Sequence, residues 1–264
     1  EDFERAKDKI YMGAERKSMV LTEDEKRATA YHESGHAIVA ASLPKADPVH
    51  KVTIIPRGRA LGVTWQLPER DRISLYKDQM LTEISVLFGG RIAEDLFVKN
   101  ISTGASNDFE RATKIARDMV TRYGMSDLLG PMVYAENEGE VFLGRSVTQT
   151  RNVSEETLQK VDLEIRRIID EQYAVSTKIL QDNADKVEAM TAALMEYETI
   201  DADQIADIMA GRPVRAIKTF NTPGSGGGDS SAGTAVSTDG ADSGGKADAT
   251  SPAAASSKAA SDTP

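Results

Sequence analysis

The chain has 264 residues, 40% of them hydrophobic, a formal net charge of −10 and no cysteine. The length bounds it to one or two domains. The acidic balance argues against a nucleic-acid partner, which needs clustered Lys and Arg for phosphate contacts. The missing cysteine removes disulfides, thiolate metal sites and cysteine nucleophiles.

Residues 2–12 read as a helix that opens in mid-course, without an initiator Met, so the chain is expected to be a fragment of something longer. Thr22 with Glu25 three positions on forms a capping box, and the helix it starts is expected to run to about Ser42. A β-rich stretch follows in HKVTIIPRG and RALGVTWQLP, where Val52, Ile54 and Ile55 are β-branched and Pro56-Arg57-Gly58 supplies turn chemistry. Ser74 is expected to cap a helix reaching about Phe97, with Gly89-Gly90 inside it for close packing. Ser106 is expected to cap another helix through Arg122, closed by Gly124. A short hairpin is expected over 131–144 around Glu138-Gly139. Ser154 then opens a long amphipathic helix in which Leu158, Val161, Ile165, Ile168 and Ile169 follow three-four spacing. Two more helices are expected to end near Met195 and Met209, the last capped by Asp201 with Gln204. From about Thr222 the sequence is Gly, Ser, Ala, Asp and Thr, too poor in apolar residues to offset its ordering entropy, and is expected to be disordered. No apolar run approaches the roughly 18–20 residues needed to span a bilayer. The expected class is mainly α with a small β-sheet (α+β): a helix-borne metal site followed by a C-terminal helical bundle.

The chemistry concentrates in His32-Glu33-Ser34-Gly35-His36, which has the form H-E-x-x-H. Positions i and i+4 of a helix share one face, so the two imidazoles can hold one zinc ion between them. Zinc makes a water acidic enough for a neighbouring carboxylate to take its proton, and Glu33 is placed for that. The bland reading is a pair of core or solvated histidines beside a surface Glu. The chain has three His, and two fall in the motif, on a helix whose flanking residues Tyr31, Ala37, Ile38, Val39 and Ala40 suit burial. Two histidines leave such a site one protein ligand short. The extended H-x-x-G-x-x-H form fails, since Val39 and Ser42 occupy the needed positions. His50 reads as a surface or strand-end histidine. Glu94 in GGRIAED and Asp108 in STGASND both remain open as the third ligand on spacing alone. Trp65 either lines a substrate groove or fills a core gap.

HESGH, KVTIIPRGRALGVTWQLPE, GGRIAED, STGASND, YGMSDLLGP and EGEVFLGR, in that order, resemble the peptidase domain of the FtsH family over about residues 1 to 212. These are membrane-anchored, ATP-dependent zinc proteases of bacteria with relatives in mitochondria and chloroplasts. The resemblance implies one zinc per chain on His32, His36 and Asp108, with Glu33 as general base and Glu94 orienting a ligand imidazole from behind. It also implies that Leu61, Gly62, Val63, Thr64 and Trp65 belong to an edge strand beside the metal that pairs with an extended substrate. The family assembles as homo-hexamers at the bacterial inner membrane, on its cytoplasmic face, and degrades unfolded or misassembled cytosolic and membrane proteins. Its members carry membrane spans and an AAA+ ATPase ahead of the peptidase. Here Arg16 in Gly13-Ala14-Glu15-Arg16-Lys17-Ser18 stands where a P-loop needs Gly, so ATP would act only through an ATPase module outside this chain. The expected organisation is residues 1–20 as the end of that module, 21–212 as the zinc peptidase and 213–264 as a disordered tail. Two other readings compete: a non-enzymatic oligomerisation or chaperone module without zinc, and a zinc hydrolase with a closed pocket for a non-peptide substrate.

Overall fold

The computed structural model describes residues 6–7, 9–10, 12–16, 19, 21–58, 60–68, 73–134 and 153–216. The 217–264 segment, and with it nearly all of the Gly/Ser/Ala-rich tail, lies outside them, as do residues 135–152 and most of the expected hairpin.

Helix α1 spans Glu23–Ser42. Its start is local chemistry: the Thr22 hydroxyl accepts from the Glu25 backbone N–H, and the Glu25 carboxylate accepts from the Thr22 N–H at 2.8 Å, which satisfies two donors that a bare helix end would orphan. From Thr29 to Ala40 every residue of α1 except His32 is buried. A helix buried all round needs neighbours on all sides. Strands β1 (Val49–Thr53) and β2 (Val63–Gln66), helix α2 (Lys77–Ala93), helix α4 (Glu155–Asp182) and helix α5 (Ala184–Tyr197) all pack on it.

The tightest of these contacts is with α2, and glycine makes it. A Cβ built on Gly35 would stand 2.2 Å from the Gly89 carbonyl oxygen, and one built on Gly89 would stand 2.5 Å from the Gly35 oxygen. The two helices therefore touch backbone to backbone. The glycine pair placed in this helix for close packing lies in that contact. The limits of α2 differ from the sequence reading. Ser74 lies outside it, and the helix begins after Tyr76, whose N–H donates to the Gln79 side chain at 3.1 Å. Nor does it run on regularly to Phe97: after Ala93 the chain widens into a π-turn, Glu94–Val98, which ends on Lys99 at φ 59°.

Helix α3 spans Ser106–Thr121, with Ser106 as its first helical residue rather than its cap. It packs against α2 and α4. In α4 the Ser154 hydroxyl accepts from the Thr157 N–H, and Val161, Ile165 and Ile168 bury the expected stripe. A third strand, β3 (Thr199–Asp201), was not expected; it pairs antiparallel with β1, giving the order β2-β1-β3. Three residues are too few to show a period. Helix α6 (Ala202–Met209) follows directly, with Asp201 and Gln204 as its capping box. The result is the expected mostly helical protein with one small sheet, in which β2 is an edge strand. Among the described residues, no helix is long and apolar enough to cross a membrane.

Candidate metal centre

One helical turn separates His32 from His36 on α1, and their Nε2 atoms lie 3.0 Å apart. The Oδ2 of Asp108, in the first turn of α3, lies 3.5 Å from the first and 3.6 Å from the second. The structure thus brings together His32, His36 and, of the two open candidates, Asp108. Glu94 stands behind: its Oε1 accepts from His32 Nδ1 at 2.8 Å. The Nδ1 of His36 donates to the Val86 carbonyl, also at 2.8 Å. With each Nδ1 facing an acceptor, the Nε2 atoms face each other and a carboxylate; deprotonated, both would offer lone pairs to one cation. Three electron-rich atoms converging in a largely buried site call for a cation.

Zinc fits this set. Tetrahedral zinc at about 2.0–2.1 Å from each donor would hold neighbouring donors about 3.3–3.4 Å apart, close to the separations found. Two imidazoles and a carboxylate are an ordinary donor set for it, and an imidazole that donates its other N–H to a carboxylate or a carbonyl is fixed in tautomer and direction. The protein alone already shows the site's demand for positive charge. Burial works against a charged His32, but hydrogen bonds with Asp108 and Glu94 outweigh it and raise its pKa to about 10. Burial would raise Asp108, yet the two imidazoles hold its carboxyl well below the usual range.

Glu94 is 3% exposed and does more than orient an imidazole. Its Oε2 accepts from the Ser102 N–H at 2.8 Å, and its Oε1 from the Ser102 hydroxyl at 3.0 Å. It thereby ties the end of α2 to the loop that delivers Asp108. Arg91 braces the same loop, donating to the Ser102 carbonyl at 2.6 Å with its guanidinium over the Phe109 ring.

A sequence model of peptidase family M41 matches residues 19–208. The chain belongs to that family. The M41 assignment makes this a metallopeptidase domain, and close relatives agree. The chain is 68% identical over 227 residues to an ATP-dependent zinc metalloprotease FtsH of Cupriavidus metallidurans, covering 86% of this chain and 35% of that protein. Proteins of the same name from Photobacterium profundum and Acidobacterium capsulatum are 59% and 56% identical, over 80% and 83% of this chain and 30% and 34% of theirs. The chain thus spans about a third of the length of the curated relatives it matches.

In this M41 domain Glu33, 6% exposed, lies one residue after His32 and turns its carboxylate to strand β2. Leu61 and Gly62 precede the strand, and Val63, Thr64 and Trp65 are within it. Thr64 faces α1. Trp65 faces the other way, in a T-shaped contact with His50 at 4.7 Å between ring centroids and beneath Lys7, so it is not directed at His32 and His36. His50 itself is a strand residue of β1, half-buried.

Several contributors to the site went unread in the sequence. A Cβ on Gly90 would fall 2.6 Å from the Nε2 atoms of both histidines, so the α2 backbone itself walls the site there. The glycine pair announced close packing but not this second duty. Val86 acts through its carbonyl, which leaves no trace in residue type. Ser102 sits inside the STGASND segment, where only Asp108 was read as a site residue.

Proposed function

We propose that this M41 domain is a zinc-dependent endopeptidase acting on unfolded polypeptide. The convergence of His32 Nε2, His36 Nε2 and Asp108 Oδ2 within 4.8 Å of one another supports the reading most strongly. When bound, zinc polarises the scissile carbonyl and acidifies a water. His32 and His36 offer their Nε2 atoms and Asp108 its carboxylate, while Glu94 and the Val86 carbonyl hold the imidazoles in direction. Glu33 takes a proton from the attacking water on its carboxylate and returns it to the leaving amine nitrogen. The substrate lies extended along Leu61–Trp65 and pairs through its backbone, which gives broad side-chain tolerance. The exposed edge of β2 favours a peptide over a small molecule enclosed in a pocket.

The resemblance to the FtsH family extends the proposal to the longer protein. There the domain works as part of a homo-hexamer joined to an ATPase module, which uses ATP to deliver unfolded or misassembled proteins at the cytoplasmic face of the bacterial inner membrane.

The test measures zinc content and casein cleavage, before and after chelation, for the wild type, Glu33→Gln and Asp108→Ala. We expect stoichiometric zinc and chelator-sensitive cleavage in the wild type. Glu33→Gln keeps zinc and loses on the order of 10²–10⁴-fold in rate; Asp108→Ala loses both. Cleavage retained in Glu33→Gln removes Glu33 from the mechanism, and cleavage indifferent to chelation ends the zinc reading.

A further inference from the structure

We propose that Thr64 and Gly62 are positioning residues that aim Glu33, so that the strand expected to receive the substrate also sets the general base. The inference rests on the peptidase reading above.

A glutamate side chain rotates about three bonds, and ordering it costs conformational entropy. A general base works only from within hydrogen-bond reach of its proton, in a narrow range of directions. Something must therefore hold Glu33. The Thr64 hydroxyl donates to Glu33 Oε2 at 2.6 Å, the length of a charge-assisted O–H···O⁻ bond. The same hydroxyl lies 3.1 Å from the Glu33 carbonyl oxygen, on the helix itself. Thr64 is itself fixed: it is β-branched and so stiff at χ1, and its backbone sits in register opposite Val52 of β1.

The other oxygen is confined by what is missing from the strand. A Cβ built on Gly62 would stand 2.7 Å from both Cγ and Oε1 of Glu33, and 2.9 Å from Cγ2 of Thr29. Gly62 has no positive φ to account for its identity; the space it leaves is occupied by the base. Residues i and i+2 of an extended chain share one face. Gly62 gives room and Thr64 gives a hydrogen bond, two residues apart, on the face that meets α1. In the sheet order β2 is the edge strand, with β1 on its one side. A peptide added there takes its register from the same backbone that fixes Glu33, so the scissile bond and the base are located by one strand.

Thr64→Val removes the hydroxyl at nearly constant volume, Thr64→Ser restores it, and Gly62→Ala pushes the carboxylate from its other side. Each variant of the chain is loaded with zinc and assayed for metal content, for kcat and KM on an unstructured fluorogenic peptide, and for binding of a peptide hydroxamate, whose proton a carboxylate beside the metal must accept. We expect one zinc per chain throughout. Thr64→Val and Gly62→Ala lose about tenfold or more in kcat, a part of what a general base supplies, with KM nearly unchanged. Thr64→Ser recovers most of that loss. Hydroxamate binding weakens with Thr64→Val in the wild-type background and is indifferent to it in Glu33→Gln, because the hydroxyl acts only through that carboxylate. Full kcat in Thr64→Val overturns the proposal, as does an effect confined to KM, loss of zinc, or an undiminished effect in Glu33→Gln. Should the wild type bind zinc and cleave nothing, the peptidase reading fails; the hydroxamate comparison then still decides whether Thr64 aims Glu33.

Discussion

The α1–α2 contact and the faces that α4 and α5 bury against the rest of the domain are both helix packing, weighted toward different materials. Around α1 the interior holds Gly35, Ser34, Glu33, His36 and, from neighbouring elements, Gly89, Gly90 and Glu94. Along α4 and α5 it is mainly Val161, Ile165, Ile168, Leu180, Val187, Met190 and Leu194, with Glu164, Ser176 and Thr191 as the buried polar exceptions. The second region follows a one-sided apolar stripe and carries no cluster of metal-ligating side chains among the described residues. The first gives up side-chain volume and buries polar groups that are each hydrogen-bonded, Ser34 accepting from the Thr191 hydroxyl of α5. Chemistry is stationed where the backbones come closest, and the stripe-built helices provide the frame.

The comparison breaks most readily at the glycines. Gly89→Ala must force the two helices apart, because the new Cβ meets the Gly35 backbone, which cannot rotate away. We expect about 3 kcal/mol or more of lost stability in denaturant unfolding, with zinc affinity lost alongside it. An Ala variant as stable as the wild type would show that the contact yields. A cavity in the frame tests the other half. Leu194→Ala, at a fully buried position, should cost about 3 kcal/mol while the folded fraction binds zinc as before. Metal lost in proportion beyond unfolding would mean that the two regions are not separable in this way. Helix caps come next: Thr22→Ala, at the start of the site-bearing helix, and Ser154→Ala, at the start of the frame helix, should each cost about 1 kcal/mol in thermal melts.

The smallest effect is present near neutral pH and fades in acid. Asp207 accepts hydrogen bonds from Arg215 and Arg212, which hold its carboxyl below its ordinary value of 3.8. A folded-state pKa below the unfolded one gives stability that is present above the unfolded value and is lost as pH falls through the folded one. Asp207→Asn should therefore melt below the wild type near neutral pH, and the gap should close as pH drops under about 3.8. A gap constant with pH would assign the effect to packing.

How far the sequence could be read follows from how local each signal is. The caps at Thr22, Ser154 and Asp201 were legible because donor and acceptor are three residues apart. The His32–His36 pair was legible because a helix fixes i and i+4. Asp108 and Glu94 were candidates on spacing, and only the ordered set of motifs assigned them different duties. Strand β3 was invisible because its partner β1 lies about 150 residues away and its own length gives no alternation. Ser74 looked like a cap by type, yet the Gln79 side chain starts the helix two residues later. The nearness of Gly90 to two imidazoles and of Thr64 to Glu33 depends on which faces meet, and no local pattern carries that.

The glycine contact also restricts how the helices can fit. Slipping α2 by one turn, about 5.4 Å, would bring Ser85 or Ala93 to the place of Gly89, and either would carry a Cβ into the Gly35 backbone. The helices can engage in one alignment, and in that alignment Val86 and Glu94 meet the two imidazoles. The pair behaves as a keyed joint with a single seating, which makes ring orientation an all-or-none property of assembly, not something tuned by degrees.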